Sequence, residues 1–216
     1  QELKFFVVDD HELMLGGTVN LLQQKYPQAK ISMAQTAENI IAQIEEFQPD
    51  LVVIDLSLPK VAGEIAQTDT GIQLLKTLMQ NYPQQNFLVQ STYVKTLVRI
   101  QPEIDAHEGG FTIADKGISS QEMLTRVAWA LQGITHTKDL RNGPGLEIKK
   151  EWLTLLNLAF REGLQDKAIA ERMNISERTV RYYWNKIQDS LEVYPDNGKN
   201  IRIQTEMRAR EVGLID

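Results

Sequence analysis

The sequence predicts an α/β domain, built on a five-stranded parallel sheet with helices on both faces, followed by a smaller all-α domain. Over roughly the first 135 residues, short apolar runs alternate with segments of helical spacing, whereas only helical patterns recur from Lys149 onward. The length of 216 residues suits two small domains or one large one. With 42% hydrophobic and 24% charged residues, the composition is typical of a globular protein.

Five apolar runs in the first part have the length of buried strands. They span residues 3–8, 31–34, 51–54, 87–89 and 111–114, and segments of helical spacing separate them. Because strands that alternate with helices pair in parallel, we expect a doubly wound sheet. The ligand site of such a sheet lies beyond the carboxyl ends of its central strands.

Charge and turn residues divide the chain into two parts. Residues 1–140 hold 10 Lys or Arg against 17 Asp or Glu, whereas residues 141–216 hold 13 against 12. An acidic first part attracts divalent cations and repels nucleic acid, while the second part can carry a local basic face. Near the junction of the two parts, Gly143, Pro144 and Gly145 interrupt any helical pattern. We therefore expect domains at 1–136 and 148–216, joined by a linker at 137–147.

The composition excludes several classes of protein. The chain has no cysteine, which excludes disulfide scaffolds, thiolate zinc sites and cysteine nucleophiles, and which fits a reducing compartment. No run approaches the roughly 20 apolar residues needed to span a bilayer. An apolar strand begins at Leu3 with no basic segment ahead of it. We therefore expect a cytoplasmic protein with no membrane partner.

Polar residues follow four of the five predicted strands. Asp9 and Asp10 follow the first strand, Asp55 the third, Ser91 the fourth, and Lys116 comes shortly after the fifth. Any one of them alone is more often a turn or helix-capping residue, but the joint pattern is more specific. Three carboxylates at one sheet edge repel each other unless a cation neutralises them, and oxygen ligands suit Mg²⁺. A lysine beside them would complete a phosphate pocket.

Residues 2–135 resemble the receiver domain of bacterial two-component response regulators. The matching stretches are Val7-Val8-Asp9-Asp10-His11, Val53-Ile54-Asp55-Leu56-Ser57-Leu58-Pro59, and Gly109-Gly110 followed by Lys116. The resemblance implies a flavodoxin-like fold in which a sensor histidine kinase phosphorylates Asp55. It also implies that Asp9, Asp10, Asp55 and the main-chain carbonyl of Ser57 hold Mg²⁺. Ser91 would bond the phosphoryl group, and Lys116 would pair with it.

The chain departs from the receiver pattern at three places. Pro59 and Gly63 stand where receivers place a proline and a glycine, and residues 64–71 look like about eight inserted residues before the third helix. A neutral surface insertion is the default interpretation, and an effect on kinase access or phosphate lifetime is the alternative. Gly117 follows Lys116 in place of a proline or acidic residue. Ile113 replaces an aromatic switch residue, so signalling through a ring there is not expected.

The second part predicts a helix-turn-helix. Helical patterns span residues 152–159, 167–173 and 177–191, with Gly163 after the first. Asn174 tolerates the left-handed backbone of a tight turn, and Ser176 can cap the third helix. The buried stripe of that helix is expected to hold Val180, Tyr183 or Trp184, Ile187 and Leu191. Its other face carries Arg178, Arg181, Tyr182, Asn185 and Lys186, which suits a major groove or, alternatively, a solvated surface.

Residues 150–193 resemble the LuxR-type effector of the NarL/FixJ group of regulators. The resemblance is carried by the run from Asp166 to Arg181, DKAIAERMNISERTVR. It implies DNA contacts by Arg178, Thr179, Arg181, Tyr182, Asn185 and Lys186. A further amphipathic helix over residues 200–214 would either help effector dimers form or pack in the core.

The joint interpretation is a phosphorylation-dependent transcriptional regulator that binds promoter DNA, as a homodimer on DNA or when phosphorylated. One rival is a receiver-like regulator that is independent of phosphorylation and is controlled by a protein or small-molecule ligand. Another is a phosphatase with an aspartate nucleophile. Such phosphatases need a second aspartate two residues after the nucleophile, where this chain has Ser57. We therefore do not expect a turnover enzyme.

Overall fold

The computed structural model describes residues 2–137, 140 and 148–216. The chain divides into two compact units, residues 1–140 and 141–216. Residues 138–139 and 141–147, which make up most of the predicted linker, lie outside the described residues. Within the described part, no helix combines the length and the hydropathy needed to cross a bilayer.

The first unit contains a parallel sheet of six strands in the order β2-β1-β3-β4-β5-β6. The strands are β1 (Lys4–Val8), β2 (Lys30–Ala34), β3 (Leu51–Ile54), β4 (Phe87–Ser91), β5 (Phe111–Asp115) and β6 (Thr135–His136). The doubly wound parallel fold is confirmed, but the predicted number of five strands was wrong. The sixth strand has only two residues and no apolar run, so the hydrophobic pattern could not reveal it.

Helices cover both faces of this sheet. They are α1 (Glu12–Lys25), α2 (Ile40–Phe47), α3 (Thr68–Asn81), α4 (Gln101–Ala106) and α5 (Ser120–Leu131), with a 3₁₀ helix at Val94–Ile100 before α4. Alternate residues of β1 serve the two faces: Phe6 packs with residues of α2 and α3, and Phe5 packs with residues of α1 and α5. Because both faces of the central strands are buried, they read as continuous apolar runs.

The segment after β3 differs from the prediction. Residues 68–71 belong to the first turn of α3, so they are not part of a loop before it. Leu58 and Gln67 exchange two backbone hydrogen bonds that close the preceding loop. A Cβ at Gly71 would lie 2.0 Å from the carbonyl oxygen of Leu56, whereas a Cβ at Gly63 would meet nothing within 4 Å. The glycine that lets α3 approach β3 is therefore Gly71, and the match of Gly63 to the glycine of receivers stays a prediction.

The second unit consists of four helices in its described part. They are α6 (Lys150–Phe160), α7 (Asp166–Met173), α8 (Glu177–Ser190) and α9 (Ile201–Glu211). Asn174 ends α7 in the left-handed conformation, with φ 55° and ψ 48°, and the Ser176 hydroxyl accepts the Thr179 N–H at the start of α8. The fold places α7 and α8 as a helix-turn-helix, as predicted. The predicted tail helix is α9, capped by Asn200.

Candidate phosphoryl-acceptor site and nucleic-acid surface

Three carboxylates converge where β1 and β3 end. Asp9 and Asp10 directly follow β1, and Asp55 directly follows β3, its neighbour in the sheet. Asp9 and Asp55 are each 3% exposed. One ligand atom from each of Asp9, Asp10, His11 and Asp55 lies within 4.8 Å of the others. Parallel pairing of β1 with β3 thus brings together residues that are 46 positions apart in the chain.

Lys116 reaches into this cluster from the loop after β5. Its Nζ lies 2.7 Å from Oδ2 of Asp55 and 2.9 Å from Oδ2 of Asp9. The Lys116 N–H donates to the carbonyl oxygen of Ser91 at 3.3 Å, which ties this loop to the end of β4. One ammonium group therefore faces two buried carboxylates, and the third carboxylate of the cluster, Asp10, leaves a net negative site.

Burial and charge pairing shift two pKa values in the cluster. Burial raises the pKa of Asp9 above its ordinary value, although the hydrogen bonds from Lys116 and from the His11 N–H act in the opposite direction. For Lys116, burial alone would lower the pKa, but hydrogen bonds to Asp55 and Asp9 raise it above its ordinary value. Lys116 is therefore held in its charged form, whereas Asp9 ionises against the cost of its own burial.

The cluster suits a hard divalent cation. Oδ2 of Asp9 and Oδ1 of Asp10 are buried, and their near neighbours are Lys116 Nζ and His11 Nδ1, each at 2.9 Å. A carboxylate oxygen has two lone pairs, so each of these oxygens can also bind a cation. Carboxylate oxygens in this number fit the ligand preference of a hard cation that retains several waters. The acidic residues present thus fit a divalent metal ion on chemistry as well as on geometry.

Two serines adjoin the acceptor position. The Ser57 N–H donates to Oδ1 of Asp55 at 3.3 Å, so this residue sits beside the acceptor carboxylate. Ser91 is fully buried at the end of β4, and its hydroxyl accepts the N–H of Tyr93 at 3.1 Å. Two roles stay predictions: the Ser57 carbonyl as a metal ligand, and the Ser91 hydroxyl as a phosphoryl ligand.

His11 is a fourth member of the cluster, for which the sequence pattern predicted no role. Its Nδ1 lies 2.9 Å from Oδ1 of Asp10. Its side chain is 64% exposed, so it borders the cluster from the solvent side. The available signal was its position directly after Asp9 and Asp10, since the first residue beyond a strand end stays near that edge.

In the second unit, α8 presents a basic and aromatic face to solvent. Five of the six predicted DNA-contacting residues are exposed, namely Arg178, Arg181, Tyr182, Asn185 and Lys186. The Nζ of Lys186 lies 5.6 Å from the centre of the Tyr182 ring. Thr179 is half-buried, and its hydroxyl lies 2.9 Å from that of Ser176 in the helix cap. None of these contacts involves DNA, so the DNA-binding role of all six residues stays a prediction.

The opposite face of α8 is buried. Val180, Trp184, Ile187 and Leu191 are at most 3% exposed, whereas Tyr183 is only half-buried. Trp184 therefore fills the position for which the sequence left two candidates. A helix with an apolar stripe on one side and charged groups on the other has its rotational orientation set by that stripe.

Profiles of two protein families match the chain. The response regulator receiver domain matches residues 5–128, and the bacterial regulatory proteins of the luxR family match residues 149–196. The first match covers the acidic cluster and strands β1 to β5 except the first residue of β1, and it ends before β6. The second covers α6, α7 and α8.

Individual proteins match along most of the chain. DevR/DosR of Mycobacterium tuberculosis, a DNA-binding transcriptional activator, is 26% identical over 200 residues, which cover 88% of each chain. The transcriptional regulatory protein YdfI of Bacillus subtilis is 26% identical over 228 residues, covering 98% of this chain and 97% of YdfI. A solved complex of the response regulator RcsB with DNA has a TM-score of 0.62 at 19% identity and covers 98% of this chain and 100% of RcsB. This structural likeness concerns the fold.

Proposed function

Since the chain belongs to the two-component response regulators, with a receiver domain and a LuxR-type helix-turn-helix, we propose that Asp55 accepts the phosphoryl group that controls its DNA binding. The observation that carries this proposal is the position of Asp55. Its carboxylate is buried at the end of β3, flanked by Asp9 and paired with Lys116. A nucleophilic carboxylate needs such a site, in which neighbouring groups stabilise charge on the incoming phosphoryl oxygens.

Transfer makes a mixed anhydride on Asp55. A carboxylate oxygen of Asp55 attacks phosphorus, the bond from phosphorus to the donor's histidine nitrogen breaks, and that nitrogen keeps the electron pair. Lys116 lies close enough to Oδ2 of Asp55 to pair with a phosphoryl oxygen after a small movement of its ammonium. Mg²⁺, held by Asp9, Asp10, Asp55 and the Ser57 carbonyl, would neutralise further charge on the phosphoryl oxygens.

Ser91 is the residue through which the modification would be sensed. Its hydroxyl accepts the N–H of Tyr93 in this structure, and Tyr93 leads directly into the 3₁₀ helix at Val94–Ile100. A phosphoryl group adds roughly −1.5 to −2 charge and new acceptor oxygens. Rotation of the Ser91 hydroxyl towards those oxygens would release the Tyr93 N–H and shift the loop after β4. The readout is therefore a change of conformation and not catalytic turnover.

The partners follow from this chemistry. The phosphoryl donor would be a sensor histidine kinase, and the ligand of the second domain would be promoter DNA in the cytoplasm. DevR/DosR is a DNA-binding activator, and RcsB has been solved as dimers bound to DNA. A net charge of −6 argues against nonspecific coating of DNA, so a local basic face on a homodimer would do the binding.

Beryllofluoride, a phosphoryl mimic, tests whether the acceptor site controls DNA binding. With Mg²⁺ present, the full-length protein is expected to shift towards dimers and to bind a duplex selected from a randomised pool more tightly. With beryllofluoride, Asp55→Asn should show neither the shift towards dimers nor the tighter binding. A protein that binds its selected duplex equally well with and without beryllofluoride would instead be a regulator independent of phosphorylation.

A further inference from the structure

One carboxylate joins three helices of the second unit. Nε1 of Trp184, on α8, donates to Oδ1 of Asp166 at 3.0 Å. Nη2 of Arg202, on α9, donates to Oδ2 of the same carboxylate at 2.9 Å. The guanidinium carbon of Arg202 also lies 3.6 Å from the centre of the Trp184 ring. Asp166 itself is in the first turn of α7, so the three side chains link α7, α8 and α9.

These contacts are directional, unlike the remainder of the buried stripe of α8. Val180 and Ile187 pack through aliphatic groups, which tolerate small rotations of the helix. Trp184 is 2% exposed, and its indole N–H would be buried without a partner if α8 turned away from Asp166. The ring is also held edge-on by Phe160 of α6, with centroids 5.5 Å apart. The position of Trp184 is therefore fixed from three helices.

Trp184 lies between two predicted DNA-contacting residues along the helix. Arg181 and Asn185 are exposed, three residues before and one residue after it, so any rotation of α8 that moves the indole moves both side chains in the groove. We propose that Asp166, Trp184 and Arg202 form a clamp that sets the rotation of α8 and so positions Arg181 and Asn185 for contacts with bases. The clamp rests on the proposed DNA-binding function.

The test uses the full-length protein and a duplex selected by the wild type from a randomised pool. Trp184→Phe keeps an aromatic ring and removes the indole donor, and Asp166→Ala removes the acceptor. Each is expected to weaken binding of the selected duplex about tenfold, comparable to one mismatched base pair. Binding of a random-sequence duplex should stay close to that of the wild type. The double variant should bind no more weakly than Asp166→Ala alone, because both changes break the same hydrogen bond between Trp184 and Asp166.

Conservative variants separate positioning from other roles. Asp166→Asn retains an acceptor for the indole and should bind within about fivefold of wild type, because a partly exposed ion pair contributes little. If Arg202 contacted phosphate directly, Arg202→Ala would lower the salt slope of binding by about one and Arg202→Lys would restore it. The clamp predicts instead that Arg202→Ala leaves the salt slope of DNA binding unchanged. Arg202→Lys should then restore none of the affinity that Arg202→Ala loses. Arg210→Ala, which breaks a local pair with Glu206 on α9, is the matched control.

Several outcomes would overturn the clamp. A fall in thermal stability of Trp184→Phe and Asp166→Ala, with unchanged affinity for the selected duplex below the transition, would show a merely structural role. Additive losses in the double variant would show that the two residues act separately. If the wild type selected no duplex from the pool, the proposed DNA binding would fail first, and the clamp with it.

Discussion

The ammonium of Lys116 lies 2.7 Å from Oδ2 of Asp55. The proposed acceptor is therefore already paired with a cation of the protein itself. A divalent ion that binds Asp55 and Asp9 must share these oxygens with Lys116, because its Nζ is also 2.9 Å from Oδ2 of Asp9. The same lysine is thus expected to weaken metal binding before transfer and to stabilise the phosphoryl group after it.

Lys116→Met is expected to increase the affinity for Mg²⁺. Two unit charges about 4 Å apart interact by about 1 to 4 kcal/mol, depending on the effective dielectric constant, which sets the scale of the repulsion that the substitution removes. We expect a gain of about tenfold, measured by titration calorimetry. Lys76→Met, which removes a lysine paired with Glu103, should leave the affinity unchanged. An equal or weaker affinity in Lys116→Met would mean that Lys116 does not compete with the ion.

Asp9→Asn is expected to stabilise the metal-free protein at neutral pH. Because burial raises the pKa of Asp9, the folded state binds more protons than the unfolded state between the ordinary and the raised pKa, and stability falls as pH rises through that interval. The advantage of asparagine should therefore be present at pH 7 and vanish below about pH 4. Thermal unfolding without Mg²⁺ across this range measures it. Glu38→Gln, an exposed change, should show no such trend, and a destabilised Asp9→Asn would contradict the assigned effect of burial.

Gly71→Ala and Gly16→Ala should change stability in opposite directions. A Cβ at Gly71 would meet the backbone of Leu56 at 2.0 Å, and such overpacking costs about 1 to 3 kcal/mol. Gly16 lies within α1, where a Cβ meets nothing within 4 Å, so alanine should stabilise by about 0.5 to 1 kcal/mol. Urea unfolding of both variants gives the two values. Tolerance of alanine at position 71 would disprove the close approach of α3 to β3.

Arg181→Ala should weaken binding of the selected duplex by about 1 to 3 kcal/mol if Arg181 makes a bidentate contact with a guanine. The loss should be confined to sequences that carry this base, because a base contact adds specificity and not general affinity. Fluorescence anisotropy with matched and single-substituted duplexes measures both effects. Arg210→Ala removes the same charge from α9 and should leave the preference intact. A uniform loss across all duplexes would instead assign Arg181 to phosphate.

The sequence was sufficient for the layers of the fold and for the edge of the sheet where the cluster forms. Strand-end residues such as Asp55 could be placed because parallel pairing brings strand ends together. The sequence did not predict β6, because its two residues carry no periodicity. It also did not predict where α3 begins, because the first residues of that helix, such as Asp69, are polar.

Contacts between side chains on different helices were also beyond prediction. Nothing in the local pattern around Asp166 indicates that it accepts from Trp184, because the orientation of two helices decides which polar groups meet. The periodicity did predict a buried aromatic residue in α8. It could not choose between Tyr183 and Trp184, which are adjacent and lie about 100° apart around the helix.

The central claim is that Asp55 becomes phosphorylated, and mapping of the modified peptide tests it most directly. After incubation with acetyl phosphate and Mg²⁺, the peptide that contains Asp55 should gain the mass of one phosphoryl group, and Asp55→Asn should gain none. Asp115→Asn, which changes a carboxylate at the end of β5 outside the cluster, should be modified as well as the wild type. Modification of another residue, or none in the wild type, would contradict the account.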